Sequence, residues 1–256
     1  MKKYLAVAVA TLLMATAAQA ALIDRGGGML YDTELNITWL QDANYAKTSG
    51  YCETSGNCYP NVGPTGQMTW TQANNWANDL VYGGYSDWRL ARNSPVNGTP
   101  SGWIYQTSFN GSMDVGYNIT STFSELSYMY YVNLGLKGAV NPDGSPRLDY
   151  GVSGDGTSGG QKDIGLVRNL PGPNYYWSSL SARSPYICVG LCAEFYAWSF
   201  DFSSGYQSDM LPQSSIGMAW AVHDGDVLVS AVPEPETYAL MLVGLALVGA
   251  AAKRRK

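Results

Sequence analysis

The sequence carries little charge, and positive charge is the scarcer sign. Charged residues make up 14% of the chain, with 15 Lys and Arg against 20 Asp and Glu. Six of the bases lie at the two ends, in Lys2–Lys3 and Lys253–Lys256, and two of the acids are Glu234 and Glu236. Residues 21–231 therefore hold 9 basic and 18 acidic residues, a net charge of −9. Such a domain repels nucleic acid, anionic lipid and sulfated glycans, so we expect a neutral or cationic partner.

The sequence also lacks the residue patterns of common catalytic sites. His223 is the single histidine, and no Gly-x-Ser-x-Gly segment accompanies it, so nothing indicates a serine hydrolase. The spacing of the four glutamates in residues 21–231 singles out no pair that could cleave glycosidic bonds; they are Glu34, Glu53, Glu125 and Glu194. We therefore expect no catalytic residues. We interpret His223 as a surface residue of a turn and Glu125 as a carboxylate at a helix start.

Patterns for binding metal are equally sparse. A zinc site needs more ligands than two cysteines and one histidine offer. The weak candidates for calcium are Asp143, Asp149, Asp155 and Asp163, in a stretch rich in glycine, but they lack the spacing and terminal glutamate of an EF-hand loop. We expect no cofactor and no metal, with calcium as the alternative.

The N-terminus has the three regions of a secretion signal. Lys2–Lys3 is basic, the stretch from Leu5 to Ala15 is apolar, and Ala18-Gln19-Ala20 offers small residues at a cleavage site. The apolar run is too short to span a bilayer comfortably. We predict a signal peptide over residues 1–20, removed by signal peptidase after Ala20.

The C-terminus has a second targeting pattern. Pro233-Glu234-Pro235 precedes an uncharged run from Ala239 to Ala252, and the basic Lys253–Lys256 ends the chain. This run is shorter than the usual lower limit of ~17 residues for a transmembrane helix, but no later segment could pack against it. We predict a short membrane helix whose basic end stays cytoplasmic, so that everything before it lies outside.

The four cysteines form two close pairs, Cys52 with Cys58 and Cys188 with Cys192. Export into an oxidising compartment makes disulfides the expected state. Three pairings are open. We favour the two local ones, because each pair brackets a short loop that contains glycine.

Hydrophobic patterns predict one α+β domain over residues 21–231, with two helices and a mostly antiparallel sheet rich in loops. Ala73, Trp76, Ala77 and Leu80 recur at helical spacing, and Thr69 or Thr71 can cap that helix. The second predicted helix begins at Ser121 or Ser124 and ends at Gly135. The other expected elements are a hairpin over Gly28–Leu40, a long loop over Lys137–Lys162, and strands near Gly84–Leu90, Tyr175–Ser179, Phe195–Phe202 and Ile216–Val222.

We expect some aromatic residues to lie in the core and others to be exposed on loops. We interpret Trp88 and Trp177 as core, and we expect Arg89 to pair with an aspartate such as Asp87 or Asp201. Sugar recognition requires aromatic faces left exposed on loops, for which the best-placed residues are Tyr85, Trp103, Tyr105 and Tyr206.

Three segments carry a resemblance to a known family: Gly84-Tyr-Ser-Asp-Trp-Arg-Leu90, Tyr176-Trp-Ser-Ser179 and the stretch from Ala197 to Gln207. Their order and spacing resemble the Lcl C-terminal domain family over most of residues 28–228, although Ala91 stands where the family usually has proline. The resemblance implies a fold like that of C-type lectins and an adhesin module associated with glycosaminoglycans. The net charge of −9 argues for an unsulfated ligand in this chain.

The C-terminal pattern over residues 232–256 resembles the PEP-CTERM sorting signal, which exosortases process in bacteria that make extracellular polysaccharide. The resemblance implies a membrane-bound intermediate in the inner membrane, then delivery to the cell surface or biofilm matrix. We therefore expect an exported, exosortase-sorted protein whose domain binds a neutral or amino-bearing polysaccharide without catalysis. The alternatives are an extracellular enzyme that acts on polysaccharide and a purely structural matrix protein.

Overall fold

The structure, a computed structural model, describes residues 22–56, 58, 65–152, 161–172, 175–182 and 195–228. The predicted signal peptide, Asp155, Cys188, Cys192 and the sorting tail with its predicted apolar helix lie outside these residues. No helix in the described ranges has the length and apolar character that crossing a bilayer requires.

The described residues form the predicted α+β mixture. The twelve strands are β1 (Leu22–Gly26), β2 (Met29–Asp32), β3 (Ile37–Leu40), β4 (Arg89–Leu90), β5 (Thr107–Ser108), β6 (Val115–Gly116), β7 (Gln161–Ile164), β8 (Val167–Pro171), β9 (Tyr175–Ala182), β10 (Tyr196–Asp201), β11 (Tyr206–Pro212) and β12 (Ala221–Asp224). The helices are α1 (Tyr45–Thr48), α2 (Tyr51–Ser55), α3 (Trp70–Asp79) and α4 (Glu125–Tyr128), which continues into a π-helical turn, Met129–Asn133. The prediction of two helices missed α1 and α2, because a single turn has no periodicity to detect.

The first sheet has the strand order β1-β2-β3-β12-β4, and all its pairs are antiparallel. The predicted hairpin is confirmed as β2 and β3, with Leu30 opposite Trp39. The predicted strand over Ile216–Val222 is wrong in its first five residues, since β12 begins at Ala221. The residues before it run beside β9 instead, where Met218 N–H donates to the Tyr175 carbonyl at 2.7 Å. This segment joins the two large sheets.

The second sheet has the order β5-β6-β11-β10-β9, and only the β5–β6 pair is parallel. The strands β9 and β10 confirm two predicted strands, and β11 pairs with β10 beyond the turn at Ser204-Gly205. A separate hairpin of β7 and β8 lies in the middle of the chain. The predicted long loop thus holds turns over residues 137–152 and ends in β7, with residues 153–160 not described.

Helix α3 begins with a capping box. The Thr69 hydroxyl accepts the Gln72 N–H, and the Gln72 side chain accepts the Thr69 N–H at 2.9 Å. These bonds satisfy backbone donors that a helix start leaves unpaired. Ala73, Trp76 and Ala77 are buried, as their spacing predicts. The helix ends at Asp79.

The main core draws buried side chains from both large sheets and from α3. Trp88 and Trp177 are 1% and 0% exposed, which confirms both as core residues. The indole N–H of Trp177 donates to the Met68 carbonyl at 2.8 Å, so this buried polar group is satisfied. A smaller cluster on the second sheet consists of Val115, Ala182 and Trp198. Trp103 and Tyr206 pack against this cluster.

Candidate ligand-binding site

Two of the predicted surface aromatics lie against a buried tryptophan. The Trp103 ring packs on Trp198 at 4.8 Å between centroids and 32° between planes. Tyr105 lies 6.3 Å from each of them, with interplanar angles of 21° and 30°. Trp198 is 1% exposed, whereas Tyr105 is 42% exposed. We call Trp103, Tyr105 and Trp198 the aromatic platform, because their rings are close to parallel.

Tyr206 lies beside this platform. It is half-buried against the same small cluster as Trp103, and its ring contacts Tyr117 at 4.9 Å. Its hydroxyl lies 3.4 Å from the Thr107 hydroxyl. The structure thus gathers three of the four predicted ligand-binding residues on one region of the second sheet.

The fourth predicted residue, Tyr85, lies elsewhere. Its hydroxyl donates to the Leu228 carbonyl at 3.0 Å, and its ring meets His223 at 5.5 Å. His223 also contacts the buried Trp88 and is half-buried within β12. His223 thus lies at the end of β12, just before the turn and not in it, and its ring is only partly exposed. Tyr85 takes no part in the aromatic platform.

The loop that carries Trp103 is fastened at its base by Asp114. This carboxylate is 1% exposed and accepts two backbone N–H groups, from Val96 and from Ile104, each at 2.6 Å. Within the loop, Asn97 accepts the Thr99 N–H at 2.9 Å. Hydrogen bonds to a carboxylate are stronger than those to neutral acceptors, so they hold residues 96–104 in one closed arrangement. Sequence reasoning missed Asp114, since nothing local distinguishes it from other loop aspartates.

A cleft of about 390 Å³ borders the platform at Trp103. Its lining is uncharged and consists of Asn93, Ser94, Pro95, Gly98, Thr99, Pro100, Trp103, Phe123 and Leu180. Asn93 is 7% exposed, and no described residue forms a hydrogen bond with its Oδ1 atom. The cleft therefore has uncharged, largely apolar walls, as binding sites for small molecules do.

An ion-pair cluster lies next to the part of the cleft that Asn93 lines, because the neighbouring Arg92 N–H donates to Glu125. Arg89 donates to both carboxylate oxygens of Glu125, at 2.8 and 2.9 Å, and to Asp224. The expected partners Asp87 and Asp201 are wrong, because the Asp87 side chain is exposed and Asp201 accepts the hydroxyls of Ser203 and Ser204. The hydrogen bond from Arg89 lowers the pKa of Asp224 below its usual value.

The three candidate calcium ligands within the described residues are engaged separately. Asp143 accepts the N–H and hydroxyl of Ser145, and Asp149 pairs with Lys137 at 2.5 Å. Asp163 accepts the Asn169 N–H at 3.0 Å. In the described ranges, no three His, Cys, Asp or Glu residues lie close enough to share a metal ion.

Cys52 and Cys58 form the predicted local disulfide, with their Cα atoms 5.0 Å apart. Cys188 and Cys192 are outside the described residues, so their pairing stays a prediction.

Comparison with known proteins concerns the C-terminus. Residues 231–256 match the family model of the PEP-CTERM protein-sorting motif, which includes the predicted Pro233-Glu234-Pro235. The match indicates exosortase-dependent export to the cell surface or extracellular space. No curated protein and no solved structure matches the chain.

Proposed function

We propose that this exported protein is a non-catalytic component of the cell surface or biofilm matrix whose domain binds a neutral or amino-bearing polysaccharide. The proposal depends above all on the aromatic platform. Trp103 and Tyr105 present nearly parallel rings, backed by the buried Trp198, beside a cleft of about 390 Å³. Flat aromatic faces can stack on the apolar faces of sugar rings, and a ring fixed by packing loses little entropy on binding.

Charge and resemblance support the same proposal. The net charge of −9 over residues 21–231 disfavours sulfated chains but does not oppose stacking on neutral sugars. The resemblance to the Lcl C-terminal domain suggests an adhesin module with a fold like that of C-type lectins.

The proposed export route has three steps. Signal peptidase removes the N-terminal signal, the C-terminal helix holds an intermediate in the membrane, and exosortase then processes it.

A glycan array probed with the exported protein, with and without a calcium chelator, tests the proposal. We expect binding to unsulfated polysaccharide, and a loss of about fivefold or more in affinity for Trp103→Ala, because stacking residues contribute ~1 kcal/mol or more each. Tyr85→Ala is the matched control, because the structure places Tyr85 against Leu228 and His223 rather than in the platform. Binding only to highly sulfated glycans, or equal effects of the two variants, would contradict the proposal.

A further inference from the structure

The aromatic surface of the second sheet continues beyond the platform. Tyr206 packs against the same small cluster as Trp103, and its ring meets Tyr117 at 4.9 Å between centroids. Tyr117 in turn lies 6.4 Å from Phe109, with 31° between the ring planes. We call Tyr206, Tyr117 and Phe109 the adjoining aromatic group, because it begins beside the platform.

The most exposed rings of the two groups lie close together in the chain. Tyr105 in the platform and Phe109 in the adjoining group are 42% and 45% exposed, and the short strand β5 lies between them in sequence. The Thr107 hydroxyl of this strand lies 3.4 Å from the Tyr206 hydroxyl. The rings and these hydroxyl groups therefore form one continuous surface that is several rings long.

Phe109 is held in place through its backbone. The Asn118 side chain donates to the Phe109 carbonyl at 2.6 Å and to the Val140 carbonyl at 2.8 Å. The Tyr117 N–H donates to the Ser108 carbonyl at 3.0 Å, which joins the two segments that carry the rings. Side chains whose positions are fixed before binding lose little entropy when a ligand arrives. The adjoining aromatic group is thus ready to bind without rearrangement.

The chain that builds most of this surface is almost free of charge. Between Arg92 and Glu125 the single charged residue is Asp114, which is 1% exposed and accepts backbone N–H groups of the loop. This segment therefore offers no exposed cation to a sulfate or carboxylate and no exposed anion to an amine. A surface of aromatic rings and hydroxyl groups suits neutral sugars better than charged ones.

We infer that the adjoining aromatic group is a second sugar-binding subsite, so that the protein binds an internal stretch of a linear neutral polysaccharide and not a single terminal sugar. One sugar unit stacks on the platform, and a later unit of the same chain contacts Tyr117 and Phe109. The two subsites act together, because a chain bound at the first presents its next units to the second at a high effective concentration. This inference rests on the proposed function, which it deepens by naming the form of the ligand.

Titration calorimetry of the exported protein with β-1,4-linked oligomers of glucose and of mannose, from one to six units long, tests the inference. Affinity should rise with length until an oligomer covers both subsites, and then level off. Phe109→Ala should lower the ratio of affinities between the longest and the shortest bound oligomers about fivefold, the effect of one lost stacking contact. Trp103→Ala should weaken the binding of oligomers of every length.

Val81→Ala is the matched control for Phe109→Ala and should leave the ratio unchanged. The Val81 side chain is apolar and 70% exposed, and the next residue, Tyr82, packs on Trp88 in the main core. It therefore removes exposed apolar surface away from the second sheet.

The outcomes are distinct. Affinity that does not depend on length but still depends on Trp103 would overturn this inference and leave the proposed function standing, as would binding to the glycan array but to no oligomer. Self-association of the free protein that Phe109→Ala abolishes, with the ratio unchanged, would assign the surface to a contact between two copies and overturn the inference. No binding in either experiment would overturn both. If Phe109→Ala does not fold, the dependence of affinity on length in the wild-type protein decides the inference by itself.

Discussion

Arg89 and Glu125, 36 residues apart in the chain, face each other through two parallel hydrogen bonds that tie β4 to the first turn of α4. Both side chains are about nine-tenths buried, at 11% and 12% exposure. The same carboxylate accepts the Arg92 N–H, next to Asn93. This pair therefore supports the fold and also positions the wall of the cleft.

Glu125→Gln should lower the free energy of unfolding by about 1.5–3 kcal/mol, the range for hydrogen bonds to charged groups. Chemical denaturation measures it. Asp163→Asn is the control, because Asp163 pairs with Arg168 across 3.7 Å while both remain exposed. Similar effects of the two variants would mean that the Arg89–Glu125 pair contributes no more than a surface pair.

Asp209 on β11 should make stability depend on pH. It is 4% exposed, and burial raises the pKa of its carboxyl. A raised pKa in the folded state means that stability is highest when the group is protonated and falls as pH rises through that pKa. Asp209→Asn should therefore stabilise the protein at neutral pH and weaken this dependence. Urea titrations between pH 4 and pH 7 test it, with Asp87→Asn, an exposed aspartate, as the control.

Trp177→Ala should cost ~3–5 kcal/mol of stability, because it removes a fully buried indole and leaves a cavity. Tyr105→Ala should leave the melting temperature much closer to wild type, since that side chain is 42% exposed. Thermal unfolding of both variants, together with glycan binding, separates the core from the site. A stable Trp177→Ala protein would contradict the packing described here.

The Cys52–Cys58 disulfide should contribute less than the ~3 kcal/mol expected for a loop of roughly fifteen residues, because it closes a much shorter one. The double variant Cys52→Ser, Cys58→Ser measures this by denaturation.

Peptide mapping without reduction should also recover Cys188 joined to Cys192. Pairs crossed between the two loops would show that the local pairing is wrong.

The processed protein should begin near Ala21 and lack the segment that follows the Pro-Glu-Pro motif. Intact-mass analysis of protein from its native host measures both ends at once. If Lys253–Lys256 persists on protein exposed at the surface, the chain is anchored rather than processed by exosortase.

Secondary structure could be predicted from the sequence where neighbouring residues determine it. The hairpin of β2 and β3 follows from two apolar runs around a polar turn, and α3 follows from its cap at Thr69 and its spacing of Ala73, Trp76 and Ala77. The burial of Trp88 and Trp177 could be predicted as well, because large apolar side chains gain most from leaving water.

The candidate site depends on contacts between distant segments. Trp103, Tyr105 and Tyr206 come together because β11 and β10 bring Tyr206 and Trp198 beside the loop fastened by Asp114, while Tyr85 is carried to the first sheet. The predicted helix start at Ser124 is confirmed, but the Ser124 hydroxyl bonds to Gln207, 83 residues away, and not to the backbone of its own helix. The sequence by itself determined the sorting signal, the net charge and the short-range elements. Only the tertiary structure decided which carboxylate meets Arg89 and that the Oδ1 atom of Asn93 is buried with no hydrogen-bond partner among the described residues, because both depend on segments brought together by folding.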